Sequence, residues 1–148
     1  MRQTITTHSA RETEAAGEAL AVRLGPGSLV ALFGGLGAGK TVFVRGLARG
    51  LGCAGEVCSP TYALVHEYPA DAKIPSSLPL AHFDMYRVGT WDELESTGWY
   101  DYLESGRVLA VEWSENIARA LPEDAWRVTL ARVGENSRSI TIEEGGAP

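Results

Sequence analysis

Leu29-Val30-Ala31-Leu32-Phe33-Gly34-Gly35-Leu36-Gly37-Ala38-Gly39-Lys40-Thr41 is the stretch whose reading decides the fold. Five consecutive apolar residues suit a strand buried on both faces of a sheet. Glycines follow at once, and residues 40–51 then read as a helix closed by Gly52. The spacing G-x-x-x-x-G-K-T runs complete from Gly34 to Thr41, between a buried strand and a helix, which is the context a phosphate-binding loop requires. Glycines let successive amides turn inward around phosphate oxygens, and the helix adds its positive N-terminal end. The amides of Leu36, Gly37, Ala38 and Gly39 are the candidate phosphate cradle. Lys40 can reach the β- and γ-phosphates, and the Thr41 hydroxyl can ligate Mg²⁺. A glycine turn before an ordinary helix would not call for the Gly-Lys-Thr ending.

Working outward, Ser9-Ala10-Arg11-Glu12 is a capping box that opens a helix. The helix is expected to run to about Leu24, with Ala15, Ala16, Ala19, Leu20 and Leu24 towards the core, before Gly25-Pro26-Gly27 stops it. After the central helix come a short extended piece, Glu56-Val57-Cys58, and a turn at Ser59-Pro60. Residues 62–68 alternate as a strand, and residues 69–79, rich in Pro and Ser, read as a surface loop. Residues 80–86 form another strand, with His82, Asp84 and Tyr86 on one face. Thr90-Trp91-Asp92-Glu93 is a second capping box, opening a short helix that ends near Gly98. Val108-Leu109-Ala110-Val111 is a second wholly apolar strand ending in Glu112. Residues 116–121 suit one or two helical turns, and residues 125–132 and 137–143 flank Gly134-Glu135-Asn136 as a hairpin. Strands alternating with helices predict a three-layer α/β fold. The expected architecture is a mixed, mainly parallel sheet with a C-terminal antiparallel hairpin, and one domain over residues 1–148.

Three further positions are candidates for chemistry. Glu112 follows four apolar residues, and a carboxylate there is costly to bury without a partner. Beside a phosphate loop that partner can be Mg²⁺; otherwise the acid simply emerges at the surface. Thr61 follows a proline-fixed turn, so its hydroxyl and amide could sense a γ-phosphate, although Ser-Pro-Thr is also a common turn. Asp84 could orient an attacking water or hold metal through water, or form a structural pair with His82. His82 itself reads as a partner for Asp84 or a packed strand residue. Trp91 and Trp99 are expected to pack the short helix or form a partner surface, Trp126 to lie in the core, and Trp113 to belong to the site. Glu93 and Glu95 read as a solvated helix face.

A chain of 148 residues, 45% hydrophobic and 22% charged, suits a folded globular domain. A net charge of −6 with scattered Arg and Lys argues against direct nucleic-acid binding, which needs clustered cations. Two cysteines, Cys53 and Cys58, match neither a zinc pattern nor a disulfide framework and read as buried or half-buried thiols. Neither a signal pattern nor an apolar run of about 20 residues is evident, so the expectation is a cytoplasmic protein away from membranes.

Gly-Leu-Gly-Ala-Gly-Lys-Thr, Ser-Pro-Thr-Tyr, His-Phe-Asp-Met-Tyr-Arg, Asp-Glu-Leu-Glu-Ser-Thr-Gly and Val-Glu-Trp occur in this order. Together they resemble the TsaE family, small bacterial ATPases needed to make threonylcarbamoyladenosine in tRNA. The resemblance spans nearly the whole chain, about residues 9–142. It implies that Lys40 is the phosphate-binding lysine and Thr41 a magnesium ligand. Residues 59–62, with Thr61, match a switch-like loop, and Asp84 matches an acid important for hydrolysis. Glu112 matches the Walker-B-like magnesium ligand, and Trp113 the aromatic beside it. Residues 8–13, Ala10 among them, match an N-terminal segment near the adenine, and Arg138 a C-terminal arginine near the nucleotide. One departure is Gly35, where the family usually carries Asp or Glu; a loop without that carboxylate loses local charge and gains flexibility.

The segment Asn-Lys-x-Asp, which reads guanine, is absent, so ATP with Mg²⁺ is expected rather than GTP. The resemblance implies an ATPase that acts on a complex of TsaB and TsaD and meets tRNA only through it, with no DNA involved. No arginine stands out as an in-chain finger, which predicts slow hydrolysis in isolation and stimulation by the partner. Two alternatives remain open at this point. One is a small-metabolite kinase, weakened because residues 69–79 contain Lys73 but no arginine for a lid. The other is a non-hydrolysing switch in which ATP licenses assembly.

Overall fold

The computed structural model describes residues 2–55 and 65–145. The chain runs β1 (Arg2–Thr7), α1 (Ala10–Ala21), β2 (Leu29–Phe33), α2 (Lys40–Leu51), β3 (Val65–Tyr68), β4 (Leu80–Asp84), α3 (Trp91–Ser96), α4 (Trp99–Leu103), β5 (Val108–Glu112), a 3₁₀ segment (Ser114–Ala120), β6 (Trp126–Arg132) and β7 (Arg138–Glu143). The strands form one sheet in the order β1-β7-β6-β2-β5-β4-β3. Its four middle strands are parallel, as the apolar runs of β2 and β5 predict. Both flanks turn antiparallel, through β3 on one side and through β7 and β1 on the other.

Each face carries its own core. Helices α1 and α2 cover one face, packing Leu20, Phe43, Val44 and Leu47 onto Val30, Leu32, Val128 and Ile140. Burying one such side chain contributes roughly 1.5–3 kcal/mol. The two helices meet backbone to backbone: a Cβ on Gly17 would lie 2.1 Å from the Phe43 carbonyl oxygen. The opposite face packs α3, α4 and the 3₁₀ segment on Ala31, Phe83 and Val111. There the fully buried Trp99 stands edge-on to Phe83, with ring centroids 5.3 Å apart. Helices on both faces of the sheet make the three layers expected.

Both capping boxes form. Ser9 Oγ accepts from the Glu12 amide, and Glu12 reaches back to the His8 amide. Thr90 Oγ1 accepts from the Glu93 amide.

Several details differ from expectation. Helix α1 ends at Ala21, three residues early, and Ala15 and Ala19 face solvent. Its inward stripe is Thr13, Ala16, Gly17, Leu20 and Ala21, because the close crossing with α2 needs the glycine rather than an alanine on that line. Strand β4 stops at Asp84, so Tyr86 lies beyond it and is exposed. Trp91 is exposed as well, which leaves α3 to be packed by Leu94 and Trp99.

Strand β1 is an addition that apolar patterning does not announce. Its residues Arg-Gln-Thr-Ile-Thr-Thr are polar because it is an edge strand, with only Ile5 and Thr7 turned inward. The β-branched run Thr4-Ile5-Thr6-Thr7 is the signal for it. Residues 56–58 and the turn at 59–62, including Thr61, lie outside the described residues, as do residues 62–64 of the third strand. Among the described residues, no helix is long and apolar enough to cross a membrane.

Candidate functional site

The loop between β2 and α2 lies at the carboxyl edge of the parallel strands, where the strand order of an open α/β sheet places ligand crevices. Gly34 has φ 141°, and an added Cβ would lie 2.5 Å from the Leu130 carbonyl oxygen, so only glycine fits there. Gly39, at φ 100°, is the N-cap of α2 and offers no side-chain cap. The first amides of α2 therefore remain available to an anion. Leu36 is 85% exposed at the loop tip, whereas Ala38 is buried. Gly35 is exposed, its φ is not left-handed, and a Cβ there would meet nothing within 4 Å. The position thus accepts any side chain, and the chain keeps glycine without a backbone requirement.

Lys40 opens α2 with its side chain folded over the loop. Its Nζ donates to the Gly34 carbonyl at 2.6 Å and sits 3.7 Å from the centre of the Trp113 ring. Burial pushes the Lys40 ammonium below its ordinary value, opposed by the carboxylates of Glu112, Glu115 and Asp84. Trp113 reaches this position through a left-handed backbone, φ 59° and ψ 42°, the only non-glycine residue so placed among those described. That conformation costs a bulky residue roughly 1–2 kcal/mol. The cation–π contact offsets about 0.5–2 kcal/mol of it. The Tyr86 ring backs Trp113 at 4.9 Å between centroids.

Glu112 ends β5, and Asp84 ends β4 at the same level in the parallel register. The Thr41 hydroxyl lies 3.4 Å from both oxygens of Glu112. Glu112 does not emerge into solvent: it is 5% exposed, and His82 Nε2 meets its Oε2 at 2.5 Å. This corrects the expected pairing of His82 with Asp84. Asp84 turns back at the strand exit and accepts the Tyr86 amide at 2.9 Å. The imidazole, level with Ala110, leans along β5 towards Glu112. Burial raises the Asp84 carboxyl above its usual range, partly offset by that amide and added to by the Glu112 charge.

These groups share a cleft of about 530 Å³ lined by residues 36–42, Asp84, Tyr86, Glu112, Trp113 and Arg138. A smaller recess of about 110 Å³ adjoins it, lined by Ser9, Ala10, Thr13, Gly39, Val42, Asn136 and Arg138. The structure therefore brings every candidate among the described residues to one region, and Thr61 lies outside the described residues. It also adds Glu115, which sequence reasoning did not single out. The Glu115 carboxylate accepts the Gly34 amide at 3.1 Å, so a different element supplies negative charge beside the loop position that Gly35 leaves uncharged. No local pattern marks Glu115, since the contact is made across 81 positions of chain.

Outside this site, the half-buried Cys53 thiol donates to the Leu78 carbonyl, and burial raises its pKa to about 11. Among the described residues, no group of three or more His, Cys, Asp or Glu side chains could hold a metal by itself.

A glycine-rich loop joining a central parallel strand to a helix, in a sheet with helices on both faces, defines the three-layer P-loop NTPase fold. The chain belongs to the TsaE family, whose model, described as threonylcarbamoyl adenosine biosynthesis protein TsaE, matches residues 7–140. It is similar to the tRNA threonylcarbamoyladenosine biosynthesis protein TsaE of Bacillus subtilis, with 37% identity over 95% of this chain and 84% of that one. The Treponema pallidum protein of the same name is 35% identical over 92% of this chain and 96% of its own length. The Streptomyces coelicolor protein of that name is 41% identical over 85% and 86%. The crystal structure of Bacillus subtilis YdiB superposes with a TM-score of 0.76 at 32% identity, covering 99% of this chain and 87% of that one.

Proposed function

We propose that this chain binds and hydrolyses ATP with Mg²⁺ as a component of tRNA threonylcarbamoyladenosine biosynthesis. In this reading it acts on a TsaB–TsaD-type protein complex in the cytoplasm, meets tRNA only through that complex, and does not transfer the threonylcarbamoyl group itself. The observation that carries the reading is the convergence of Lys40, Thr41, Asp84 and Glu112 on one cleft at the glycine-rich loop, in a member of this family. ATP is favoured over GTP because no Asn-Lys-x-Asp segment occurs.

The donor set fits Mg²⁺. A hydroxyl and a carboxylate, Thr41 and Glu112, face one another, and Mg²⁺ takes one or two protein oxygens, with phosphates and waters completing its shell. Thr41 and Glu112 would hold the cation, which would supply neutralisation of the negative charge on the phosphates. The loop amides and the N-terminal end of α2 hold the phosphates in place. Lys40, released from the Gly34 carbonyl and the Trp113 ring, stabilises charge on the transferring phosphoryl group. Asp84, half-buried beside Glu112, orients the attacking water. Hydrolysis yields ADP and phosphate and resets the partner complex between turnovers. The recess beside Ala10 and Arg138 is the place for the base and sugar.

The test is twofold. The purified chain with Mg²⁺ is expected to release phosphate from ATP slowly, and faster with the partner complex present. Equal rates with and without the partner would defeat the partnership. Cells lacking the chain are expected to lose threonylcarbamoyladenosine from tRNA, to regain it with the wild-type gene, and not to regain it with Lys40→Ala. Phosphate transfer from ATP to a small metabolite, with the tRNA nucleoside unaffected, would overturn the reading.

A further inference from the structure

Glu112 and His82 together make a buried polar pair in the middle of the sheet. His82 is fully enclosed on β4, and Glu112 nearly so on β5. The register sets His82 opposite Ala110 and Asp84 opposite Glu112. Ala110 carries only a methyl group, so the imidazole has room to lie over β5 and reach the carboxylate one step further along the same face. The contact is short, 2.5 Å from Nε2 to Oε2. Among the described residues, the other bonds to this carboxylate are the two from Thr41, both at 3.4 Å, near the limit for a hydrogen bond. Thr41 therefore does little to set the plane of the carboxylate, and His82 does most of it.

The second ring nitrogen sharpens the point. Nδ1 of His82 is buried and has no hydrogen-bond partner among the described residues. A histidine kept only for packing would be replaced at no loss by an apolar residue of similar volume, because a buried nitrogen without a partner is unfavourable. Among the described residues, the imidazole acts through Nε2 alone. A carboxylate oxygen only accepts, so in this contact Nε2 is the donor to Glu112.

We propose that His82 is the positioning residue of the magnesium site: by donating to Oε2 it fixes the rotamer of Glu112 and holds the carboxylate facing the Thr41 hydroxyl, where the cation of a bound nucleotide would be held. This rests on the Mg²⁺-ATP reading above. His82 itself touches neither metal nor nucleotide. Removing a group that orients a metal-binding side chain typically lowers metal affinity by about 10–100-fold. Affinity for the nucleotide without metal depends on the loop amides and Lys40, and should not follow.

The test uses the whole chain, with Mn²⁺ in place of Mg²⁺ so that free and bound cation are counted by electron paramagnetic resonance at saturating ATP. Metal-free ATP affinity is measured in parallel in excess EDTA, and thermal unfolding checks the fold. His82→Leu removes the donor at similar bulk. His82→Gln keeps an N–H at nearly the Nε2 position, and His82→Asn keeps an N–H that falls short. The expected result is a loss of Mn²⁺ affinity of about tenfold or more in Leu and Asn, recovery to within about threefold in Gln, and metal-free ATP affinity within about twofold throughout. Should the Leu variant fail to fold, the Asn and Gln pair carries the same comparison. Wild-type Mn²⁺ affinity in both Leu and Asn, or equal loss in Asn and Gln, overturns the positioning role while leaving the nucleotide reading intact. A wild-type chain that binds ATP no better with Mn²⁺ than without it overturns the metal reading and this inference together.

Discussion

The β2–α2 loop and the exits of β4 and β5 face each other across one cleft, yet they are built on different principles. The loop is made of backbone. Its geometry follows from glycines at fixed spacing, and most of its side chains are dispensable: Leu36 points outward and Gly35 has open space. The strand exits are made of side chains. His82, Asp84, Glu112 and Trp113 matter through where the parallel register puts them and through who buries them. A backbone site tolerates exchange of its side chains, whereas a side-chain site fails when one partner of a buried pair is lost. This contrast accounts for Gly35. The missing carboxylate leaves the cradle intact, and Glu115 brings charge to the adjacent amide from the other side of the cleft.

The largest effect expected is at the one side chain the loop does need. Lys40→Ala should lower ATP turnover by about 100–1,000-fold, the loss seen when one fixed charge stabiliser is removed. A single-turnover assay with the partner complex checks it, and a fall of less than about tenfold would show that amides alone suffice.

Next comes stability at the strand exits. Glu112→Leu leaves the enclosed imidazole of His82 without its acceptor and should cost about 1–3 kcal/mol in denaturant titration. The double change His82→Leu with Glu112→Leu should recover part of that loss. If the double variant is as unstable as the sum of the singles, the two residues do not act as a pair.

Within the loop, the contrast predicts opposite outcomes for neighbouring glycines. Gly34→Ala forces a Cβ against the Leu130 carbonyl at a left-handed φ and should cost about 1–3 kcal/mol. Gly35→Ala should change stability by less than about 0.5 kcal/mol. Gly35→Asp should leave ATP affinity within about threefold, since the cradle is backbone. Equal thermal shifts for the two alanine variants would erase the distinction.

The smallest effect is a dependence on pH. Burial holds the Asp84 carboxyl above its usual range. An acid raised in the folded state favours the protonated form there. Its contribution is fully present below the ordinary carboxylate range and is lost as pH rises through the raised value. Asp84→Asn removes that loss, so at pH 7 the variant should melt higher than wild type while hydrolysing less. The gap should close as pH falls below about 4. A variant that melts lower than wild type at pH 7 would mean that the Asp84 charge is stabilising where it sits.

How much was legible follows the same division. The loop, both capping boxes, the apolar strands and the terminal hairpin are written in local patterns, each readable within about a dozen residues. Strand β1 was not, because an edge strand of Thr and Gln has little apolar alternation to display. The inward face of α1 was misread where Gly17 replaces a packed side chain with direct backbone contact, which propensity does not encode. The sequence leaves His82 as a packed residue or a partner of Asp84, and the structure buries it against Glu112. The choice of Glu112 depends on a lateral step between two strands that are 30 positions apart in the chain.

By itself, then, the chain determined a buried strand, a glycine turn and a helix in the order that a phosphate-binding loop requires, because steric limits on φ and helix-end amides act between near neighbours. The tertiary structure alone decided that Trp113 covers Lys40, that Glu115 reaches Gly34, and that His82 meets the carboxylate of Glu112. Those contacts arise from sheet register and from burial, which depend on the whole core closing at once.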